Sequence, residues 1–238
     1  CTVVWSLSRG SDVVSGELGR GTLEMLLSQP ISRRTLLVSH AAVSIVGLAL
    51  LCLAVWAGIG CGVYATTVEE TIPEPTFRIP YLNVELPISR NEPEQQEIPL
   101  RQRVDVRTYA ASTFHLFAFG FFLLGLASML SCFDRYRWRT IGLVVAFYVL
   151  QAVMFGLGKA TESLNWLLSL TFFSCYKPQK MTSLIGEGGL SAPWKLTETT
   201  SEMMLPPLAY PMILLGFGVL FYVIADVRFR RRDLPAPL

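Results

Sequence analysis

The sequence predicts an all-α polytopic membrane protein with four complete transmembrane helices, preceded by the end of a fifth. Three observations carry this. Hydrophobic residues make up 52% of the 238, and charged residues only 16%, against about 25% charged in ordinary soluble domains. Four apolar runs are each long enough to cross a hydrocarbon core about 30 Å thick, which takes about 20 helical residues. The polar segments between them alternate in charge, as an alternating chain path requires.

Taken in order, the chain opens with "CTVVWSLS", read as the end of a helix that starts upstream of Cys1. Residues 9–35 are polar and form an elbow. The first full span covers Leu36 to Ala65. Residues 66–108 form an external loop rich in Pro and Glu, with Pro at 73, 75, 80, 87, 93 and 99. Within it "FRIPYLNVELPI" alternates apolar and polar residues, which suits a short strand demoted to an edge by its prolines. The loop reads either as a solvated connector or as a small external cap. The second span is Tyr109 to Cys132, the third Ile141 to Lys159, and the fourth Leu205 to Ala225. "LNWLLSLTFF" makes residues 159–204 an external or re-entrant region. All of this forms one membrane domain over residues 1–238.

Segments 9–35, 133–140 and 227–238, with Asp226 at their boundary, hold eleven basic residues and six acids. Segments 66–108 and 159–204 hold nine basic residues and twelve acids. The positive-inside bias assigns the first set, with the C-terminus, to the cytoplasm and the second to the exterior. A net charge of +2 gives no reason to expect nucleic acid as a partner.

The sequence contains no phosphate-binding Gly-x-x-x-x-Gly-Lys-Ser/Thr, no His-Glu-x-x-His and no Gly-x-Ser-x-Gly. Neither a catalytic set nor a cofactor or metal site is expected in this chain. The five cysteines lack metal spacing, and most read as small apolar filler. A Cys61–Cys175 disulfide is one pairing their outer positions allow. His115 is an ionisable residue inside a span, hence either a functional group or a ring that snorkels or bonds a neighbour. With Phe114 and Phe121 it marks a candidate path-lining face, lipid contact and helix packing being the plainer roles. Gly58 and Gly62 suit close helix approach, Lys159 and Glu162 an interfacial pair, and Pro211 a kink.

The elbow is the most informative stretch. Ser11-Asp12 can cap a short helix, Gly19 and Gly21 can break it, and Thr22 can cap a second one, "LEMLLS", that Pro30 ends. Leu23, Leu26 and Leu27 then share one side, Arg20 and Glu24 project, and Ser32 caps the following span. An amphipathic helix lying on the headgroups is the alternative reading.

"GELGRGTLEMLLSQPISRRTLLVSH" resembles the segment between the second and third membrane helices of permease subunits in the ATP-binding-cassette type-2 exporter class. Glu17, Gly21, Thr22, Leu23, Leu26, Leu27, Pro30, Ser32 and Arg33 carry the match, while His40 stands where that class often has Lys. "FRRRDLPAPL" resembles the ending of one bacterial branch, and "FDRYRWRT" its short basic loop. The resemblance implies that residues 11–30 are a cytoplasmic coupling helix. Glu17, Arg20, Gly21, Thr22, Leu23, Glu24, Leu27, Pro30 and Arg33 would contact a separate ATPase subunit, which holds ATP-Mg. It further implies a second permease copy or paralogue, a plasma (inner) membrane location, and a first membrane helix missing ahead of Cys1. On this reading the chain exports a substrate and is not an enzyme. The alternative is a membrane scaffold or assembly factor that docks another cytoplasmic partner.

Overall fold

The computed structural model describes residues 1–22, 32–71, 76–79, 84–87, 95–196 and 203–231. Its helices are α1 (Thr2–Ser11), α2 (Glu17–Arg20), α3 (Arg33–Ala65), α4 (Ala110–Phe133), α5 (Arg137–Ala160), α6 (Leu167–Leu170), α7 (Pro178–Gly188) and α8 (Ala209–Arg231). Four of them, α3, α4, α5 and α8, are long and apolar enough to span a membrane. The chain divides into two compact units, Cys1–Val55 with Thr108–Leu238, and Trp56–Arg107.

In the first unit α4 is the central helix. Small residues explain why it can be. A Cβ on Gly10 of α1 would lie 2.5 Å from Ala127 Cβ, and one on Gly125 of α4 would lie 2.7 Å from the Gly218 carbonyl oxygen of α8. A Cβ on Gly120 would meet Leu48 of α3 at 2.8 Å. These contacts let backbones approach where lipid offers no hydrophobic drive to association. The glycines expected to do this, Gly58 and Gly62, have nothing within 4 Å of an added Cβ among the described residues, while Gly60 between them faces Val106 at 3.5 Å.

The pairings fix direction. Ser6 Oγ donates to the Gly120 carbonyl at 2.9 Å and Ser131 meets Ser15 at the other end, so α1 and α4 run the same way. Buried Cys132, Ala225 and Phe229 pack together at one end of the bundle, and buried Ala111 and Tyr210 at the other, so α8 follows α4. Trp5 abuts Gly47, while Val13 and Val14 pack with Leu36 and Leu37, so α3 runs the opposite way. The turn at 134–136 sends α5 back antiparallel to α4. Arg20, Arg33, Arg137 and Arg228 therefore gather at one end of the bundle. Phe133, Tyr136 and Trp138 are exposed there, as aromatic residues are at a membrane–water interface.

Beyond α5 the chain turns back into the bundle. Leu168 lies where a Cβ on Gly158 would be, and the Phe172 N–H donates to Gln151 Oε1 at 3.3 Å. Those contacts carry residues 161–175 down α5 by seven residues, about 10 Å. Phe172 and Phe173 pack there against Phe119, Phe122 and Tyr148.

Several sequence expectations change. Pro211 does not kink a helix: α8 begins at Ala209, so the proline falls in the first turn, where its missing N–H leaves no bond unmade. Lys159 lies over the Phe155 ring at 4.7 Å rather than against Glu162, because Glu162 follows the end of α5 at Ala160 and leaves its helical face. Cys61 and Cys175 are not joined: each is a thiol, with no disulfide between them. His115 does not snorkel: it is fully buried, neither ring nitrogen has a hydrogen-bond partner among the described residues, and it stacks on Tyr176 at 5.7 Å.

The second unit carries two antiparallel strand pairs. β1 (Thr67–Thr71) pairs with β4 (Gln95–Pro99), and β2 (Thr76–Ile79) pairs with β3 (Val84–Pro87). Pro87 and Pro99 close the ends of their ladders, positions where a missing donor is tolerated. Within this unit Trp56 Nε1 donates to the Val106 carbonyl at 3.2 Å.

Candidate functional site

The elbow begins as a continuation of α1. Ser11 and Asp12 do not cap a new helix. α1 passes through a π-helical turn, Asp12–Gly16, straight into α2. A wide turn of this kind needs something to fill it, and Ser131 of α4 does so. Its Oγ accepts from the Val14 N–H at 3.1 Å and the Ser15 N–H at 2.8 Å. Ser15 Oγ donates to the Ser11 carbonyl at 2.7 Å and sits 3.2 Å from Thr140 Oγ1 on α5. Ser11, Ser15, Ser131 and Thr140 are all fully buried.

A charge cluster lies on the outer side of the same turn. Asp12 Oδ1 is 3.1 Å from Arg20 Nη2 and 3.6 Å from Arg137 Nη1. Arg20 also pairs with Glu17 at 2.7 Å. Arg137 in turn donates to the Ser8 carbonyl at 3.3 Å and to Ser8 Oγ at 3.2 Å. Gly16 makes room for this: a Cβ there would collide with the Asp12 carboxylate. Arg20, expected to project freely, is thus held by two carboxylates, because the continuous helix puts Asp12, Glu17 and Arg20 on neighbouring turns.

The break comes at Gly21 and not at Gly19. Gly21 has φ +73° and donates its N–H to the Leu18 carbonyl at 3.1 Å, a left-handed C-cap that glycine adopts without penalty. Thr22 folds its hydroxyl back to Glu17, bonding both its carbonyl and its carboxylate. Burial pushes the Glu17 carboxyl up, but the bonds from Thr22 and Arg20 and the charges of Arg20 and His40 outweigh it. The carboxyl ends below its ordinary value. Glu17 and Asp12 hold Arg20 above its ordinary value: its bond to Glu17 leads, burial works against it, and the Asp12 charge adds to the rise.

Across residues 23–31, Leu23, Glu24, Leu26, Leu27 and Pro30 lie outside the described residues. At residue 32 the chain is again defined: Ser32 Oγ accepts from the Thr35 N–H at 3.1 Å and caps α3. Arg33 then donates to the Phe229 carbonyl at 3.4 Å, tying the start of α3 to the end of α8.

Of the candidate path residues, Phe114 packs at a tilt against Trp194 at 5.6 Å, and Phe121 packs against Tyr222 at 5.7 Å and over Gly218. They and His115 face three different neighbours. Asp12, Ser15, Ser131 and Arg137, which tie the elbow to the bundle, have no sequence signature beyond their charge or small size. Arg137 stands in the basic loop "FDRYRWRT" only as one arginine of three.

No curated protein matches the chain. The sequence profile described as ABC-2 family transporter protein matches residues 2–234. An apolar bundle with four spanning helices, matched by that profile over nearly its whole length, belongs to the ABC-2 transporter family, and the chain is the transmembrane permease component of an ABC transporter.

Proposed function

We propose that residues 11–30 dock a separate cytoplasmic ATPase subunit, and that ATP-driven movement of that subunit rocks this bundle to export a substrate. The observation that carries the proposal is the continuity of the helix from Thr2 to Arg20 and its locking at two points, by Ser131 to α4 and by Arg137 to α5. A displacement applied at Gly21 has no hinge in which to dissipate before it reaches the spanning helices. The arginine-rich end that carries the elbow faces the cytoplasm, as the positive-inside bias predicts, in the plasma (inner) membrane.

ATP and its Mg are held by the ATPase, since this sequence has no phosphate-binding loop. Glu17, Arg20, Gly21, Thr22 and Arg33, with Leu23, Glu24, Leu27 and Pro30, form the contact surface. A second copy or a paralogue completes the path. For Phe114, His115 and Phe121 to line it, α4 must part from Tyr176, Trp194 and α8 during the cycle.

The test is co-purification of the full-length protein, expressed with its neighbouring genes, followed by an ATP hydrolysis assay. A stoichiometric ATPase that is lost on Gly21→Trp or Glu24→Lys, with the chain still inserted, supports docking at the elbow. A well-folded protein that brings down no ATPase refutes it and favours a scaffold role.

A further inference from the structure

The first unit contains a cavity of about 270 Å³ between α4, α5, the re-entrant turn and α8. Phe122 forms its back wall, Phe147 and Gln151 one side, and Ile213, Leu214 and Phe217 the other. From Ile213 to Phe221 it follows α8 for eight residues, about 12 Å along the membrane normal. Gln151 lies nine residues inside the end of α5 at Ala160, about 14 Å, which is near the middle of a hydrocarbon core of about 30 Å.

The lining polar groups are turned to internal partners. Gln151 Oε1 accepts from the Phe172 N–H at 3.3 Å, and Ser169 Oγ donates to the Trp166 carbonyl at 2.6 Å. Thr171 Oγ1 is 3.2 Å from Ser174 Oγ. The Gln151 amide N–H and the Cys175 thiol, a weak donor, are left to meet a guest. A buried water needs two to four polar partners, and one amide with a thiol holds water poorly. Apolar cavities of this kind stay dry and take up apolar guests.

The cavity is also reachable from the side. Leu170 and Phe217 at its rim are half-exposed. The flanking surface is apolar on both helices, with Leu150 and Val153 of α5 and Met212 and Leu220 of α8 exposed. At this depth in a spanning bundle, that surface is bathed in acyl chains.

From these relations we infer that the cavity seats the acyl tail of a membrane lipid, entering sideways between α5 and α8. The tail packs on Phe122, Phe147 and Phe172 and props the re-entrant turn against α4. It is continuous with the lipid-facing surface and requires no polar headgroup contact within the cavity. The inference rests on the cavity and its surroundings and does not depend on the proposed coupling.

The experiment reconstitutes the full-length protein into phosphatidylcholine vesicles doped with a phosphatidylcholine that carries a diazirine on one acyl chain. After irradiation, adducts are mapped by mass spectrometry of the digested protein. Phe122 and Leu214 are diagnostic, being only 4% and 1% exposed. Val149 and Val223, on the exposed faces, report ordinary bilayer contact. The expected result is adducts on Phe122 or Leu214 at several-fold the yield on the two valines. Filling the cavity by Ile213→Trp, or from the rim by Leu170→Trp, removes these adducts and leaves those on the valines. Adducts confined to the exposed valines, or cavity adducts unchanged in both filled variants, would overturn the inference.

Discussion

Ser131 Oγ, on α4, accepts the backbone N–H of Ser15 at 2.8 Å, 116 residues away in the chain. The same oxygen takes the Val14 N–H at 3.1 Å. One hydroxyl thus holds open the π-helical turn that carries α1 into the elbow. Ser131→Ala leaves two buried donors short of an acceptor, at about 1–3 kcal/mol for an unsatisfied group. The expected outcome is a lower melting temperature of the detergent-solubilised protein and weaker transport. Ser128→Ala serves as control, because Ser128 returns its hydroxyl to the Leu124 carbonyl of its own helix and takes no part in the π-helical turn.

Gly21 and Gly19 separate conformation from space. Neither would meet an atom within 4 Å if given a Cβ, but only Gly21 has a positive φ, +73°. Gly21→Val forces a β-branched residue into the left-handed region, at about 1–2 kcal/mol or more. Gly19→Ala removes a weak helix former and stabilises by about 0.5–1 kcal/mol. ATPase retention in a pull-down should fall for the first substitution and hold for the second. Equal behaviour of the two would show that the left-handed cap is unimportant to the elbow.

Glu17 gives a pH signature. Its carboxyl is held below the ordinary value of 4.5 in the folded protein. A depressed carboxylate contributes stability that is fully present above its unfolded value and lost as pH falls through its folded one. Wild type should therefore melt above Glu17→Gln at neutral pH. The gap should close on acidification below the ordinary carboxylate range and stay constant between pH 6 and 8. A gap that persists into strong acid would mean that Glu17 acts by shape and not by charge.

Arg137 meets Asp12, Ser8 and Ser11 from across the turn after α4. Its side chain is 39% exposed, so the ion pair alone is worth about 1 kcal/mol or less. The directional bonds to Ser8 matter more, and Lys cannot supply that fork. Arg137→Lys and Arg137→Ala should both insert normally and both lower transport per bound ATPase. Full transport in the Lys variant would reduce the contact to simple charge.

At the α4–α8 crossing, Gly125 faces the Gly218 backbone, whose oxygen would be 2.7 Å from an added Cβ. That neighbour is main chain and cannot swing aside. Gly125→Val should reduce the folded yield sharply, overpacking costing about 1–3 kcal/mol. Gly142→Ala, where nothing lies within 4 Å, should be silent. Size-exclusion profiles and melting temperatures in detergent decide between them.

The sequence by itself determined the number of spans and the ends that share a side. Both follow from the absence of water in the bilayer, which forces long apolar helices and sorts arginines by side. Run boundaries shifted by only a few residues, as in α3, which begins at Arg33 rather than Leu36. The family was legible too, because the segment from Gly16 to His40 is a local pattern. Tertiary structure alone decided which helix is central. The runs are similarly apolar, and only the contacts of Gly120, Gly125 and Ala127 with their neighbours make α4 the buried one. It decided equally that Ser11-Asp12 continues a helix, since the acceptor that permits the π turn, Ser131, belongs to another element. The cavity has the same origin: the re-entrant turn is held where the Phe172 N–H finds Gln151, a bond between residues 21 apart whose meeting no local pattern encodes. Local composition sets where a chain enters and leaves the membrane, but hydrogen bonds and close approaches between distant residues set what lies between the helices.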